Sequence, residues 1–418
     1  MGALLEDVFG LDRSRNPLSY VVRDIETNFV KALSNRKYIA LVLHGASKQG
    51  KTSLLRHALN NSEIISLEGS VGDTTESLYR EILAQCGVTQ QTETNKTSAA
   101  GGISFGWFHS KIGREGSVSY EPIAVDLASP ASIARIANNS TKKRIIVLDN
   151  YHYLELEAQH KFSTAIRAFE KFGFKFIIIG TWMNSGYMQN FNKELLGTVK
   201  EFEFSAWNSQ DLQKVLETGA KHLRITFSPR VAQSLIRRSV NNIALLQDLT
   251  KNYLEKLNTE REIFFKDEEL TDTGKVADAA SEIEKEMRDD VTQYLRVVCD
   301  IGKNNAIAGG RSRSYWIVRA FLGGNENEIT NGMAAENLLE RTNALIDLIC
   351  REQKVKVTKI RPQEFYSLLR STWSSEQQKA IKSGVLIFDE FTRSIMVGDS
   401  YTKFVLRTGA RHQIKEIL

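Results

Sequence analysis

The sequence predicts an α/β domain whose parallel sheet lies between helices, followed by helical and mixed segments. Three observations carry this. Short apolar runs alternate with helix-period segments from Lys37 to Phe204, the pattern of strands joined by crossover helices. The first such run ends in a glycine loop, "HGASKQGKTS", that leads straight into a helical segment. After Trp207 the apolar runs give way to helices with short links, so a different kind of domain follows. A chain of 418 residues exceeds one ordinary core, and two or three domains are expected.

Each element has its own signal. Residues 1–35 read as a leader and a helix, since "SYVVRDIETNFVKALSN" places apolar residues at helical spacing. "KYIALVL" is a buried strand by its length and glycine flank, and Thr52 to Asn60 is a helix. "EIISLEG" is a second strand and "TTESLYREILAQCG" a helix closed by Gly87. A polar stretch, "VTQQTETNKTSAAGG", precedes a β-hairpin inserted at about residues 101–122. "SPASIARIANNS" is a capped helix, "RIIVLD" a central strand, "EAQHKFSTAIRAFEKFG" a helix and "FKFIIIGT" another central strand. The α/β domain is thus expected over residues 1–206 and a small helical domain over 207–257. Residues 258–290 read as an acidic linker or long helix, and 291–418 as a C-terminal α+β domain ending in two strands, "GVLIFDEFTRSIMVGD". No internal repeat is visible.

Composition narrows the class. The apolar share of 42% and charged share of 25% are those of a soluble globular protein. No run of 18 apolar residues exists, so no membrane partner is expected, and the N-terminus lacks a signal-peptide pattern. Three distant cysteines without a CxxC argue against disulfides and zinc, and for buried thiols in a reducing, cytoplasmic setting. From Lys354 to Leu418 there are 12 Lys/Arg against 6 Asp/Glu, a balance that suits a polyanion partner or a solvated face.

The glycine loop carries the chemistry. Gly45, Gly50, Lys51 and Thr52 satisfy GxxxxGK[ST], and residues Gly45, Ala46, Ser47, Lys48, Gln49, Gly50, Lys51, Thr52 and Ser53 are the expected nucleotide cradle. The glycines let successive backbone N–H groups turn inward onto phosphates. Lys51 supplies a charge to the outer phosphates, the Thr52 hydroxyl reaches Mg²⁺, and the following helix aims its positive end at the same anion. Asp149 ends a second apolar strand and is expected to hold the water shell of that metal; a loop residue or helix cap is the plain alternative. Asn150 follows it, and an amide can orient water but cannot take its proton. His152 either contacts the catalytic water or the γ-phosphate, or it caps or packs. Thr181 and Asn184 follow the next strand, where each either senses the γ-phosphate or caps a helix.

These residues resemble the P-loop ATPases of the AAA+ and STAND type, most of all the origin-recognition and Cdc6-like branch and related bacterial signalling ATPases. The motifs are "GASKQGKTS", "IIVLDNYH" and "FIIIGT", with "RRSVNNIALLQDL" as a helical lid, over roughly residues 15–255. The resemblance implies ATP and Mg²⁺ as cofactors, Lys51 and Thr52 as phosphate and metal ligands, Asp149 as the Walker B acid, and Thr181 or Asn184 as the sensor. It places Arg23 on the adenine side, where a surface salt bridge is the plain alternative. It also implies that the C-terminal segment is a winged helix, either a protein-docking module or a DNA-binding one in which Lys379, Lys382 and Arg393 face the phosphates. Two features depart from the pattern: "NKELLGTVKEFEF" offers Thr198 and Lys200 but no arginine finger, and Arg237 and Arg238 precede "SVNNIALL" rather than following it.

Three functions follow as expectations. The first is an ATP-binding switch with slow or partner-stimulated hydrolysis, acting through self-association, a protein partner or double-stranded DNA; for bacterial proteins of this look, antiviral defence or replication initiation is the implied setting. The second is a DNA-binding winged-helix protein with a vestigial nucleotide site. The third is a small-molecule kinase, for which the long C-terminal third has no obvious use.

Overall fold

The computed structural model describes residues 3–10, 17–90, 105–114, 117–182, 186–204, 206–257, 268–301, 311–353, 359–373, 386–389, 392–407 and 409–418. They form two compact units, one within residues 22–204 and the other made of 3–10, 17–21 and 206–418.

The first unit is built on parallel strands β1 (Ala40–His44), β2 (Ile64–Glu68), β6 (Ile145–Asp149), β7 (Lys175–Ile179) and β8 (Val199–Glu203). Their order is β2-β6-β7-β1-β8. The intervening β3 (Val88–Gln90), β4 (Phe105–Arg114) and β5 (Ser117–Asp126) form a separate antiparallel sheet. This is the expected hairpin, but β5 continues to Asp126 rather than stopping near 122, because Val125 is drawn into the core.

Alternation along the strands separates two core layers. Ala40, Val42, Ile146, Leu148, Phe176 and Ile178 pack with Ile82, Ile133, Phe162 and Phe169 from helices Thr75–Gln85, Pro130–Ser140 and Leu156–Glu170. Leu41, Leu43, Val147, Ile177 and Ile179 pack with Phe29, Leu54 and Leu55 from helices Asp24–Ser34 and Lys51–Ala58. Both faces are covered, which is why β1 reads as an unbroken apolar run rather than an alternating one. Because all five strands are parallel, the loops after β1, β2, β6 and β7 open on one edge of the sheet, where α/β folds hold their ligands.

The second unit corrects the expected domain boundaries. Leu5, Val8 and Phe9 of helix Leu5–Phe9 share its core, so residues 3–10 are not part of the α/β domain. Phe9 fits there because Gly219 makes room: an added Cβ would stand 2.2 Å from the Phe9 ring. Ser19 also belongs here, its hydroxyl donating to Val8 O at 2.5 Å, and the helix expected from Ser19 begins only at Asp24. Helices Ser209–Leu223, Pro229–Arg238 and Ile243–Lys256 occupy the segment expected to be helical. The next helix, Thr273–Asp300, runs through the boundary expected at residue 290. No glycine or proline interrupts it after Lys275, and Val276, Ala280, Ile283, Val291, Leu295 and Val298 keep one buried stripe.

Short strands β9 (Ile225–Phe227) and β10 (Glu268–Leu270) pair in parallel. An antiparallel sheet of order β11-β13-β12 joins β11 (Met333–Ala334), β12 (Leu386–Asp389) and β13 (Ser394–Val397), beside helices Ala335–Gln353 and Pro362–Trp373. Thr372 and Trp373 end the second of these helices, and the rest of "TWSSEQQKAIKS", with Lys379 and Lys382, lies outside the described residues. Arg393 is exposed in the β12–β13 turn, and its carbonyl accepts the Ala335 N–H at 2.9 Å. All three cysteines are free; Cys86 and Cys299 are buried, but Cys350 is only half-buried, which corrects the expectation of three buried thiols. Among the described residues no helix is long and apolar enough to cross a membrane.

Candidate functional site

The loop after β1 is shaped by close approach. Gly45 has φ of 123°, and an added Cβ would lie 2.5 Å from the backbone oxygen of Phe204, just past β8. Only glycine passes that point. Gly50, with φ of 90°, turns the chain into helix Lys51–Ala58. Ala46, Ser47, Lys48 and Gln49 make the bend between them, Lys48 in the left-handed region at φ of 59° and Gln49 buried.

Lys51, at 7% exposure, turns back into this bend. Its Nζ donates to Gly45 O at 2.8 Å and Ala46 O at 2.7 Å. Burial pushes its pKa down to about 8, while the Asp149 carboxylate pulls the other way. Ser53 follows Thr52 in the first turn of the helix.

Asp149 closes the other side. Its Oδ1 accepts the Asn150 backbone N–H at 2.7 Å, and the Thr52 hydroxyl lies near enough to the same carboxylate to favour its ionised form. Burial raises its pKa, opposed by those two groups and by Lys51, and reinforced by the charge of Glu68. The residues present fit Mg·ATP. Thr52 and Asp149 are hard oxygen donors that lie near each other at neighbouring element ends. That suits an ion that keeps its waters and takes one or two protein ligands beside phosphates.

The remaining expected residues divide. Asn150 sits in the left-handed region (φ 56°, ψ 30°), and its Nδ2 donates to Glu68 Oε1 at 3.1 Å. His152 lies in the 3-10 turn Tyr151–Tyr153 with its ring against Tyr153, centroids 4.2 Å apart. Arg23 is engaged by the protein itself: Nη2 donates to Gln49 O at 3.5 Å, and the guanidinium lies over the Phe204 ring at 5.1 Å. Thr181 follows β7, the strand between β1 and β6, so it stands on the edge shared by the glycine loop and Asp149. Asn184 lies outside the described residues.

Sequence reasoning missed two contributors. Trp182 stacks on His44 (6.1 Å, 6°) and on Tyr187 (4.7 Å, 25°), tying the post-β7 loop to the end of β1. Gly180 permits this, since an added Cβ would lie 1.8 Å from the Trp182 ring. Glu68 is the other. Its signal was present, because a polar residue and a glycine end an apolar strand there as they do at His44 and Gly45.

Strand order and glycine loop together give the chain the fold of a Walker-type P-loop ATPase. A solved Walker-type ATPase of Pyrococcus abyssi superposes on it with a TM-score of 0.53 at 14% identity, over 96% of this chain and 100% of that one. Cdc6p of Pyrobaculum aerophilum (TM-score 0.44, 12% identity, 99% and 98% covered) and the Orc1 protein of Aeropyrum pernix in complex with DNA (0.42, 12%, 92% and 92%) are more distant. Only the first supports the shared fold. No protein-family model and no curated protein sequence matches the chain.

The depressed pKa of Lys51 gives a pH prediction. Above about pH 8 the free loop loses the lysine proton, whereas a bound polyphosphate favours the protonated form, so binding takes up a proton. The dissociation constant for ATP is expected to rise with pH above that point, by up to about tenfold per unit. Titration calorimetry from about pH 6.5 to about pH 9.5 measures this; a flat profile would show that Lys51 stays charged throughout.

Proposed function

We propose that the chain is an ATP-dependent switch that binds Mg·ATP at Gly45–Ser53, hydrolyses it slowly or when a partner stimulates it, and thereby controls assembly or the engagement of a protein or DNA partner. The observation that carries this reading is the conjunction of a buried Lys51 inside the glycine loop with the Thr52–Asp149 pair at the neighbouring strand end. Lys51 would neutralise charge on the outer phosphates as it transfers to the leaving oxygen. Thr52 and Asp149 would hold the Mg²⁺, which supplies further neutralisation of the phosphate oxygens. Thr181, on the same edge, is the residue we assign to sensing the γ-phosphate. Slow or partner-stimulated hydrolysis is supported by the segment "NKELLGTVKEFEF", which offers Lys200 but no arginine finger.

A C-terminal winged helix that binds double-stranded DNA is part of this proposal, supported by the positive balance of residues 354–418 and the exposed Arg393. The experiment is molar mass and phosphate release by the purified chain, without nucleotide, with Mg·ATP, and with Mg·ATP plus double-stranded DNA. The expected result is tight nucleotide binding, slow release, and a change in mass or rate on adding ATP or DNA. A chain that neither binds nor hydrolyses ATP would end the reading.

A further inference from the structure

Hydrolysis at the Gly45–Ser53 loop needs a group that can take a proton from water, and Asn150 cannot. Glu68 stands at the end of β2, where the parallel register places it directly opposite Asp149. The backbone enforces that placement. Gly69 N donates to Asp149 O at 2.9 Å, and an added Cβ at Gly69 would come within 2.9 Å of Asn150 O. β2 and β6 therefore close on each other with no side chain between them. Asn150 Nδ2 then holds Glu68 Oε1 at 3.1 Å, while the Glu68 side chain remains exposed at the strand edge. Its charge is also felt at Asp149, which places it within electrostatic reach of the metal-side carboxylate.

We propose that Glu68 is the general base of ATP hydrolysis by this chain, with Asn150 as the residue that positions it. The inference rests on the reading of the glycine loop as an ATPase site. In the step, the water oxygen bonds to the γ-phosphorus and the bond from that phosphorus to the β,γ-bridging oxygen breaks. Its electron pair leaves on ADP, the water proton passes to the Glu68 carboxylate, and inorganic phosphate is released. Solvent then takes the proton from the exposed Glu68.

This arrangement changes what a substitution at Asn150 does. Asn150→Glu alone would set two carboxylates where an amide now meets a carboxylate, and their repulsion opposes the geometry. Exchanging both, Glu68→Asn with Asn150→Glu, keeps the hydrogen-bonded pair and moves the base across it.

The test measures phosphate release and Mg·ATP affinity on the full chain. Glu68→Gln keeps the size and a hydrogen-bonding amide but cannot accept the proton. Its turnover is expected to fall by at least about a hundredfold, with affinity for ATP within about threefold of wild type. The double exchange is expected to regain turnover to within about tenfold of wild type. Turnover by Glu68→Gln within about threefold of wild type would overturn the assignment and leave the ATPase reading standing. Loss of ATP binding along with turnover would also overturn it, as the mark of a structural residue. No recovery in a double variant that still binds ATP would overturn the role given to Asn150. A wild-type chain that releases no phosphate would overturn this inference and the hydrolysis it rests on together.

Discussion

Lys51→Ala is expected to abolish ATP turnover, lowering it by at least about a thousandfold, and to remove measurable nucleotide binding. The loop is bent so that the carbonyls of Gly45 and Ala46 point at the lysine Nζ, 2.8 and 2.7 Å away. With the ammonium present, the interior of the bend is positive and suited to a polyphosphate. Without it, two carbonyl dipoles present negative ends to the same space, and an anion entering there is repelled. The expected effect on folding is small by comparison, because two opposing changes accompany the substitution. Removing a buried charge relieves desolvation, while leaving the two carbonyls unpaired costs about 1–3 kcal/mol for each that water does not reach. Fluorescent-nucleotide binding and thermal unfolding on the same preparation separate the effects. A variant that melts near wild type and still binds ATP would show that the loop holds nucleotide by its backbone alone.

Asp149→Asn is expected to split activity from stability in opposite directions. Turnover should fall by at least about a hundredfold, since an amide neither offers two anionic oxygens to Mg²⁺ nor balances its charge. Stability should hold or rise at neutral pH. Folding raises the pKa of the Asp149 carboxyl, chiefly by burial. A group that binds its proton more tightly in the folded state lowers stability as pH climbs from its unfolded to its folded value, and the loss persists above that window. Asparagine carries no such penalty, and its side-chain oxygen still accepts from the Asn150 N–H. The difference in melting temperature between variant and wild type should therefore shrink in acid, where the wild-type carboxyl is protonated. A variant markedly less stable than wild type at neutral pH would mean that the ionised carboxylate holds the fold together.

Much of the site was legible residue by residue. Gly45, Gly50, Lys51 and Thr52 lie in one short segment of loop and helix start, so their spacing along the chain is nearly their spacing in space. Asp149 could be found because an acid closing a buried strand leaves the apolar run abruptly. The elements of the sheet were legible for the same reason, as their burial on both faces writes continuous apolar runs. The N-terminal helix was not. Leu5, Val8 and Phe9 belong with a core formed by residues beyond 206, and Phe9 needs the space at Gly219, a partner far along the chain. The continuity of Thr273–Asp300 was hidden by its acidic composition, since the buried stripe occupies only one face of a charged helix.

The sequence by itself determined the glycine loop and the phosphate chemistry expected of it, because such a loop depends on backbone torsions that a few adjacent residues set. Only the tertiary structure decided which second carboxylate stands beside Asp149. Glu68 and Asn150 meet through strand register, a pairing of backbone groups from distant segments that no local spacing encodes. The amide after Asp149 looks, along the chain, like a missing base. Across the sheet it is the partner of one.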